Sequence, residues 1–170
     1  MYMIIGLLFG LGIFLLWLAN HQQKASGLPG GEIIYADTSF WRPVEKPLYD
    51  SNLDLSGRPD YIIRQGNQVI PVELKSTRVY KAPYDSHIFQ LASYCYLVHT
   101  TYNVRPTHGI LQYKNRAFRI EYTPGLESSL IALVSEMRAK GHLRNIDRSH
   151  DSAQRCQNCG FVSSCDQQLS

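Results

Sequence analysis

No charged side chain precedes Lys24 in this chain of 170 residues. A cleaved secretory signal normally begins with basic residues and ends at a small-residue cleavage site, and this segment lacks the first and has only a poor candidate for the second. Residues 1–18 are almost wholly apolar or glycine, and as a helix they would span about 27 Å, close to the hydrocarbon thickness of a bilayer. We therefore expect a transmembrane anchor over residues 1–20, with a cleaved signal peptide or a buried core helix as the alternatives.

The polar residues that follow suggest how the chain is organised. Lys24 lies just after the apolar segment, so the positive-inside rule places the rest of the chain in the cytoplasm. Residues 21–31 are polar and contain a Gly-Leu-Pro-Gly-Gly run, which is typical of a linker. We predict a folded domain at residues 32–148 and a tail at residues 149–170.

Charged residues are scarce in the chain as a whole, at 18%, whereas hydrophobic residues make up 44%. This composition excludes a generally disordered protein and is sufficient for a buried core. The net charge of +3 permits a polyanionic partner but does not require one. No internal repeat is visible, and the length fits one domain.

Cysteine is also scarce, and none of the four cysteines precedes Cys95. Cys95 stands in an apolar stretch, whereas Cys156, Cys159 and Cys165 form a C-x2-C-x5-C cluster. Such clustering favours metal ligation over a disulfide framework. The alternative is a flexible tail with unligated thiols.

Strand-like and helical patterns alternate along the domain. The expected elements are a β-prone run at 33–35, a hairpin at 58–76 around Gly66-Asn67, a helix at 86–100 capped by Asp85 or Ser86, a second hairpin at 107–113 and 116–122, and a helix at 124–140 that stops at Gly141. This order predicts an α/β domain with a mixed sheet and helices packed on it.

The first hairpin brings two carboxylates together. With a two-residue turn, the register places Asp60 opposite Glu73, where like charges are destabilising at a Cβ separation of about 5 Å. A divalent cation between them is the simplest reason for such a pair, and hard oxygen ligands suit Mg²⁺ or Mn²⁺. Lys75 lies on the same strand face and could stabilise a transition state there. The alternative is a solvated strand face with a Glu–Lys pair.

The opposite face of this hairpin is predicted to be apolar, because side chains alternate along a strand. Its members are Tyr61, Ile63, Ile70, Val72 and Leu74.

The first predicted helix carries a polar stripe beside an apolar one. His87, Gln90 and Tyr94 share one helix face, whereas Cys95 and its apolar neighbours lie on another that we expect to enter the core. The polar stripe either faces solvent or presents hydrogen-bond donors to a phosphate or to water on a metal.

Three ordered motifs resemble those of RecB-like nucleases of the PD-(D/E)XK type. They are Gly57-Arg58-Pro59-Asp60, Val72-Glu73-Leu74-Lys75 and Gln90-Leu-Ala-Ser-Tyr94. The cysteine tail further resembles the CRISPR-associated exonuclease family, which joins this nuclease core to an iron–sulfur cluster. The resemblance covers roughly residues 30 to 168.

The resemblance implies a restriction-endonuclease-like α/β core and DNA cleavage that depends on Mg²⁺ or Mn²⁺. It implies that Asp60 and Glu73 bind the metal together with the Leu74 carbonyl. Lys75 would be catalytic. Gln90 and Tyr94 would support the site and contact DNA.

Two features depart from the family pattern. A 4Fe-4S cluster normally has four thiolates, and the family usually supplies one from an N-terminal cysteine that this chain lacks. Cys156, Cys159 and Cys165 would then need Asp166, His150 or another chain as the fourth ligand, and a zinc site of three cysteines and a histidine is the alternative.

The second departure is a metal-binding histidine that many relatives carry upstream of the aspartate. No histidine lies between His21 and Asp60. His87, on the predicted helix, is the residue that could compensate.

These features favour a membrane-tethered DNA nuclease, most consistent with an exonuclease, whose partners would be DNA, the membrane and proteins of CRISPR adaptation or DNA repair. One alternative is a catalytically weakened DNA-binding or adaptor module that retains the nuclease fold, which the missing histidine favours and the intact Asp60, Glu73 and Lys75 oppose. Another is a redox or sensory membrane protein whose function lies in the cysteine tail.

Overall fold

The computed structural model describes residues 41–143 and 146–169, together with residues 10–11 and the backbone of residues 32–34. The chain divides into two compact units, Met1–Val134 and Ser135–Ser170. The predicted anchor lies outside the described residues except at positions 10 and 11, and so does the predicted linker at 21–31. Among the described residues, no helix has both the length and the apolar character needed to cross a bilayer.

Strands and helices follow the predicted order, with additional short strands. The strands are β1 (Glu32–Ile34), β2 (Trp41–Pro43), β3 (Leu48–Asp50), β4 (Leu55–Gly57), β5 (Tyr61–Gln65), β6 (Gln68–Lys75), β7 (His108–Tyr113) and β8 (Ala117–Glu121). The helices are α1 (Asp85–Tyr102), α2 (Pro124–Gly141) and α3 (Ala153–Gln157), followed by a 3-10 turn at Val162–Ser164.

Six of the described strands form one sheet in the order β1-β8-β7-β6-β5-β2, and β3 pairs with β4 separately. β6 and β7 run parallel, whereas the other neighbouring strands that the structure describes run antiparallel. Parallel neighbours need a crossover connection, and α1 provides it. The predicted mixed α/β fold is therefore confirmed.

The β5–β6 hairpin has the predicted register. Gln65 pairs with Gln68 and Tyr61 with Val72. Gly66 in the turn has a φ of 58°, the left-handed conformation that glycine adopts at little cost. Pro71 fits because the pairing of β6 with β7 begins only at Val72, so the proline interrupts no ladder on that side.

The sheet has an apolar cluster on each face. Trp41, Ile70, Val72, Ile110 and Ala117 form one cluster, with Tyr61 and Ile63 packed against it. Ile62 and Val69, which alternate with these residues, pack under α1 in the larger core. The predicted apolar face is thus confirmed except at Leu74, which is 39% exposed. Cys95 is buried in the larger core, as predicted.

Helix ends differ from prediction by one or two residues. α1 begins after Tyr84, which makes no side-chain cap, so the prediction of Asp85 or Ser86 as the cap was wrong. Asp85 is instead a first-turn carboxylate, which the helix dipole favours at that position. α2 includes Gly141 as its last residue, and Thr123 caps its start by accepting the Leu126 N–H.

The C-terminal unit has almost no apolar interior. Cys156 is its one buried residue among those that the structure describes between 135 and 169. Arg148 organises it instead, donating from its guanidinium to the Gln167 carbonyl at 2.8 Å and to the His150 carbonyl. Gln167 also donates to Asp147 at 3.1 Å. Polar contacts therefore hold the described part of this unit together.

Candidate active site

Asp60 and Glu73 lie at the same end of the β5–β6 hairpin. Asp60 immediately precedes β5, and its Oδ2 accepts the Leu74 backbone N–H at 2.7 Å. Glu73 is 7% exposed, on the strand face that carries α1. The two carboxyl groups are close enough for Asp60 to raise the pKa of Glu73. The predicted juxtaposition is therefore present in the structure.

Three side chains converge on Glu73. Lys75 Nζ donates to Glu73 Oε1 at 2.8 Å, and Gln90 Nε2 donates to the same oxygen at 2.8 Å. Gln90 also accepts from Lys75 at 2.5 Å. Gln90 Nε2 also donates to the Tyr94 hydroxyl at 2.9 Å. The structure thus brings together Glu73, Lys75, Gln90 and Tyr94 as one hydrogen-bonded group.

Burial sets the electrostatics of this group. Desolvation is the largest effect on Glu73 and raises its pKa above the usual range, while the Lys75 ammonium opposes this and the Asp60 carboxyl adds to it. Desolvation likewise raises the pKa of the Tyr94 hydroxyl. A buried carboxylate with a raised pKa gains from a nearby cation. The site therefore favours the binding of a further positive charge beside that of Lys75.

The donor set fits a hard divalent cation. Lys75 and Gln90 both donate to Oε1 of Glu73, the Leu74 N–H donates to Oδ2 of Asp60, and the two carboxyl groups lie close to each other. The Leu74 N–H points to Asp60, and within a strand the carbonyl of a residue lies on the same side as its N–H. Two carboxylates and a carbonyl suit Mg²⁺ or Mn²⁺, since Mg²⁺ usually keeps several waters. Asp60, Glu73 and Leu74 are the residues that could hold it.

The described contacts of His87 are with tyrosines and not with Asp60 or Glu73. Its Nδ1 lies 2.7 Å from the Tyr113 hydroxyl, and its ring contacts those of Tyr84 and Tyr113. Across the described ranges, no three Asp, Glu, His or Cys side chains are grouped so that they could hold a metal ion. The hypothesis that His87 replaces the upstream ligand is therefore not supported by its position.

Gly57 has a role that the motif alone did not explain. A Cβ at this position would lie 2.9 Å from Cε1 of Tyr94 and 3.1 Å from Cδ1 of Leu97. The absence of a side chain at Gly57 therefore lets β4 approach α1 and leaves room for the Tyr94 ring. Tyr113, which holds His87, was also missed, because a buried strand tyrosine gives no signal of its partner in the sequence.

The C-terminal cysteines share a different site, within the second unit. Cys156, Cys159 and Cys165 line a cavity of about 270 Å³ together with His150 and Asp166. All three are free thiols, and Cys156 Sγ accepts the Leu169 N–H at 3.4 Å. His150 Nδ1 accepts the Ser152 N–H at 3.2 Å. The thiols are not grouped at metal-binding distances in the described residues, so an iron–sulfur cluster is not confirmed.

Comparison with known proteins agrees with the geometry. The family description "PD-(D/E)XK nuclease superfamily" matches residues 14–166. Among solved structures, the crystal structure of SSO0001 is similar, with 21% identity and a TM-score of 0.48 over 94% of this chain and 70% of that chain. A search of curated proteins finds no match. Because the family match spans most of the sequence, the chain belongs to the PD-(D/E)XK nuclease superfamily, whose members are metal-dependent nucleases that hydrolyse phosphodiester bonds.

Proposed function

We propose that this chain is a DNA exonuclease that requires Mg²⁺ or Mn²⁺ and hydrolyses phosphodiester bonds. The observation that carries the proposal is the arrangement around Glu73. Lys75 and Gln90 both occupy Oε1, and Asp60 lies beside the same carboxylate. The two carboxyl groups therefore lie against each other, and a divalent cation between them would relieve their mutual repulsion.

Each residue of the group has a chemical part in such a reaction. Mg²⁺ or Mn²⁺, when bound, supplies Lewis-acid polarisation of the phosphate and activation of water. Lys75 holds a positive charge beside the carboxylates, where it can stabilise charge that develops on the phosphate in the transition state. Gln90 fixes the Lys75 ammonium, and Tyr94 contacts Gln90 from the next turn of α1. The intact group favours catalysis over a binding module that has lost activity.

The resemblance to CRISPR-associated exonucleases supports a role in spacer acquisition or in DNA repair, with other proteins of those systems as partners. The substrate is then DNA with a free end. Exonuclease action is distinguished from endonuclease action by the position of the first cuts.

The test is cleavage of end-labelled single- and double-stranded DNA by the full chain in Mn²⁺, Mg²⁺ or EDTA. We expect metal-dependent shortening from one end and loss of cutting in Glu73→Gln. Glu136→Gln is the matched control, because Glu136 is exposed on α2 and paired only with Lys140 in the part of the chain described. Internal cuts would replace the exonuclease with an endonuclease. No cutting by folded, metal-supplied wild type would favour the weakened DNA-binding or adaptor module.

We also propose that Cys156, Cys159 and Cys165 bind an iron–sulfur cluster, with zinc as the alternative. The support is that all three thiols line one cavity in a unit with almost no apolar interior. Folded units shorter than about 40 residues, such as Ser135–Ser170, usually need a metal or disulfides to fold. Asp166 suits the fourth position better than His150, because His150 Nδ1 already accepts a backbone N–H. Anaerobic purification followed by visible absorption and iron, sulfide and zinc analysis distinguishes cluster, zinc and neither.

We propose, finally, that residues 1–20 anchor the protein in a membrane with the nuclease domain in the cytoplasm. The support is the uncharged apolar stretch followed by Lys24. Carbonate extraction of membranes tests the anchor, and protease accessibility of the domain in sealed vesicles tests its orientation. Release of the chain by carbonate would reject the anchor.

A further inference from the structure

A second cavity, of about 390 Å³, opens on the same unit as the candidate active site. It is lined by Arg42, Pro43, Val44, Glu45, Lys46, Pro47, Leu48, Ile62, Arg64 and Tyr102. The floor is apolar, since Leu48 and Ile62 are buried. The rim is polar and exposed at Arg42, Lys46 and Arg64. We refer to this cavity as the β2 groove.

The charge of the β2 groove is predominantly positive. Arg42, Lys46 and Arg64 contribute three cations, and Glu45 contributes one carboxylate. None of the four takes part in an ion pair within the part of the chain that the structure describes. Arg64 is held in place, because its guanidinium lies 4.9 Å from the centre of the Tyr102 ring. A guanidinium stacked on an aromatic ring keeps its N–H groups in a fixed fork that matches phosphate oxygens.

The β2 groove lies on the same sheet face as the candidate metal ligands. Arg42 pairs with Ile62 across β2 and β5, and both belong to the face that carries Asp60 and Arg64, because side chains alternate along a strand. Asp60 and Arg64 are four residues apart, which separates their Cα atoms by about 13 Å in a strand. Val44, on the groove wall, donates its N–H to the Asp60 carbonyl at 3.4 Å. The groove therefore begins at the backbone of a candidate metal ligand.

We propose that the β2 groove binds the phosphate backbone of the DNA strand and leads that strand to Asp60 and Glu73. The inference rests on the proposed nuclease function and adds to it the surface that holds the substrate. Unpaired, exposed cations beside an apolar floor suit a polyanion, whose affinity depends on the number of phosphates neutralised. The candidate site itself holds two carboxyl groups against the single ammonium of Lys75, so it offers DNA little attraction in the absence of a metal. Attraction at the groove supplies what the site lacks and brings the strand to it.

The experiment measures binding separately from cleavage. Fluorescence anisotropy of a labelled single-stranded oligonucleotide with the full chain is recorded in EDTA over a series of salt concentrations. For Arg42→Gln/Arg64→Gln we expect a Kd at least tenfold higher than for wild type. We also expect the slope of log affinity against log salt to fall by about 1.4, since each lost phosphate contact on a single strand contributes about 0.7.

Two comparisons separate the groove from general charge and from folding. Arg119→Gln/Lys140→Gln removes the same net charge from two residues outside the groove, each in an ion pair of its own. Its Kd should stay within about twofold of the wild-type value, a difference of about 0.4 kcal/mol or less. Arg42→Lys/Arg64→Lys keeps the charge and should keep the salt slope. Equal weakening by both glutamine pairs, or loss of the slope in the lysine pair, would overturn the proposal.

Parallel cleavage assays in Mn²⁺ keep this inference distinct from the proposed function. Groove-dependent binding without cleavage by any variant would reject the nuclease and retain the groove. Cleavage by wild type with unchanged binding in Arg42→Gln/Arg64→Gln would reject the groove and retain the nuclease.

Discussion

At the scale of single residues, Gln90 is the link that makes the candidate active site one unit. It donates to Glu73 and to the Tyr94 hydroxyl and accepts from Lys75. No other residue in the described ranges hydrogen-bonds with all three. Its position one turn of α1 before Tyr94 lets a single side chain connect the helix to β6.

Gln90→Leu should therefore lower the free energy of unfolding by about 1–3 kcal/mol, because it removes a partner from half-buried polar groups that cannot all reach water. Urea denaturation measures the change. Gln68→Leu is the control: its half-buried side chain makes a single hydrogen bond, at the surface, to the Thr107 N–H, and substitutions away from a buried network usually stay within about 0.5 kcal/mol. Equal losses in the two variants would contradict the role given to Gln90.

His87 predicts a pH dependence of stability. Desolvation is the main reason that its pKa is lowered below 6.5, with a smaller contribution from the Lys75 ammonium, and desolvation also lowers the pKa of His108. As the pH falls through 6.5, the unfolded chain takes up protons before the folded one does. Stability at neutral pH is therefore lost as the pH falls from 6.5 through the lower folded pKa.

Urea denaturation at a series of pH values from 8 to 5 should show this fall. His87→Gln should reduce its slope, and His87→Gln/His108→Gln should reduce it further. The slope is the diagnostic quantity, because loss of the contact with Tyr113 lowers stability at all pH values. An unchanged slope in the double variant would contradict the assignment.

Sequence reasoning predicted which residues form the candidate site and that Asp60 lies opposite Glu73, but not the contacts between the helix and the sheet. Asp60, Glu73 and Lys75 follow from strand register, which depends on counting residues from a turn. The contact between His87 and Tyr113 joins α1 to β7, 26 residues apart. Such a contact depends on how a helix packs on a sheet, and no local spacing encodes it.

At the scale of elements, two glycines let α1 approach the strands beside it. A Cβ on Gly57 would lie 2.9 Å from the Tyr94 ring, and a Cβ on Gly109 would lie 2.7 Å from Cγ of Leu91. Neither distance is tolerated without movement. The two positions differ in what would move: a ring of the candidate active site at Gly57, and a core leucine at Gly109.

Gly57→Ala and Gly109→Ala should each cost about 1–3 kcal/mol of stability through overpacking. Gly57→Ala should in addition slow cleavage per folded molecule, because the displaced Tyr94 loses its hydrogen bond with Gln90. Gly109→Ala should leave that rate near the wild-type value. Thermal denaturation and single-turnover cleavage, corrected for the folded fraction, measure the two effects. A wild-type cleavage rate in Gly57→Ala would show that the position of the Tyr94 ring against β4 is not needed for cleavage.

Apart from the three-residue β1, the elements that were predicted are the ones with long patterns. The β5–β6 hairpin and both long helices carry enough residues for alternation or helical periodicity to be visible. β3 and β4 have three residues each, too few to establish a period of two. Their pairing is nevertheless important, because β4 carries Gly57 to the surface of α1.

At the scale of the whole molecule, the two units have different sources of stability. The first unit has a large core around α1, including Leu91, Leu97 and Phe118. In the described part of the second unit, Cys156 alone is buried, and Arg148 supplies much of the hydrogen bonding. The sequence predicted a metal site there from cysteine spacing, but the described residues contain no group of three metal-binding side chains, because spacing does not specify where the side chains lie.

Because chains below about 40 residues rarely fold on a core alone, loss of the metal proposed for Cys156, Cys159 and Cys165 should loosen the second unit. Cys159→Ser should lower bound metal and increase amide hydrogen exchange over residues 146–169. Ser163→Ala, in the same unit, is the matched control and should leave both unchanged. Exchange is followed by mass spectrometry and metal by elemental analysis. Protection that survives complete loss of metal would mean that the Arg148 network suffices, and the three thiols would then not be structural ligands.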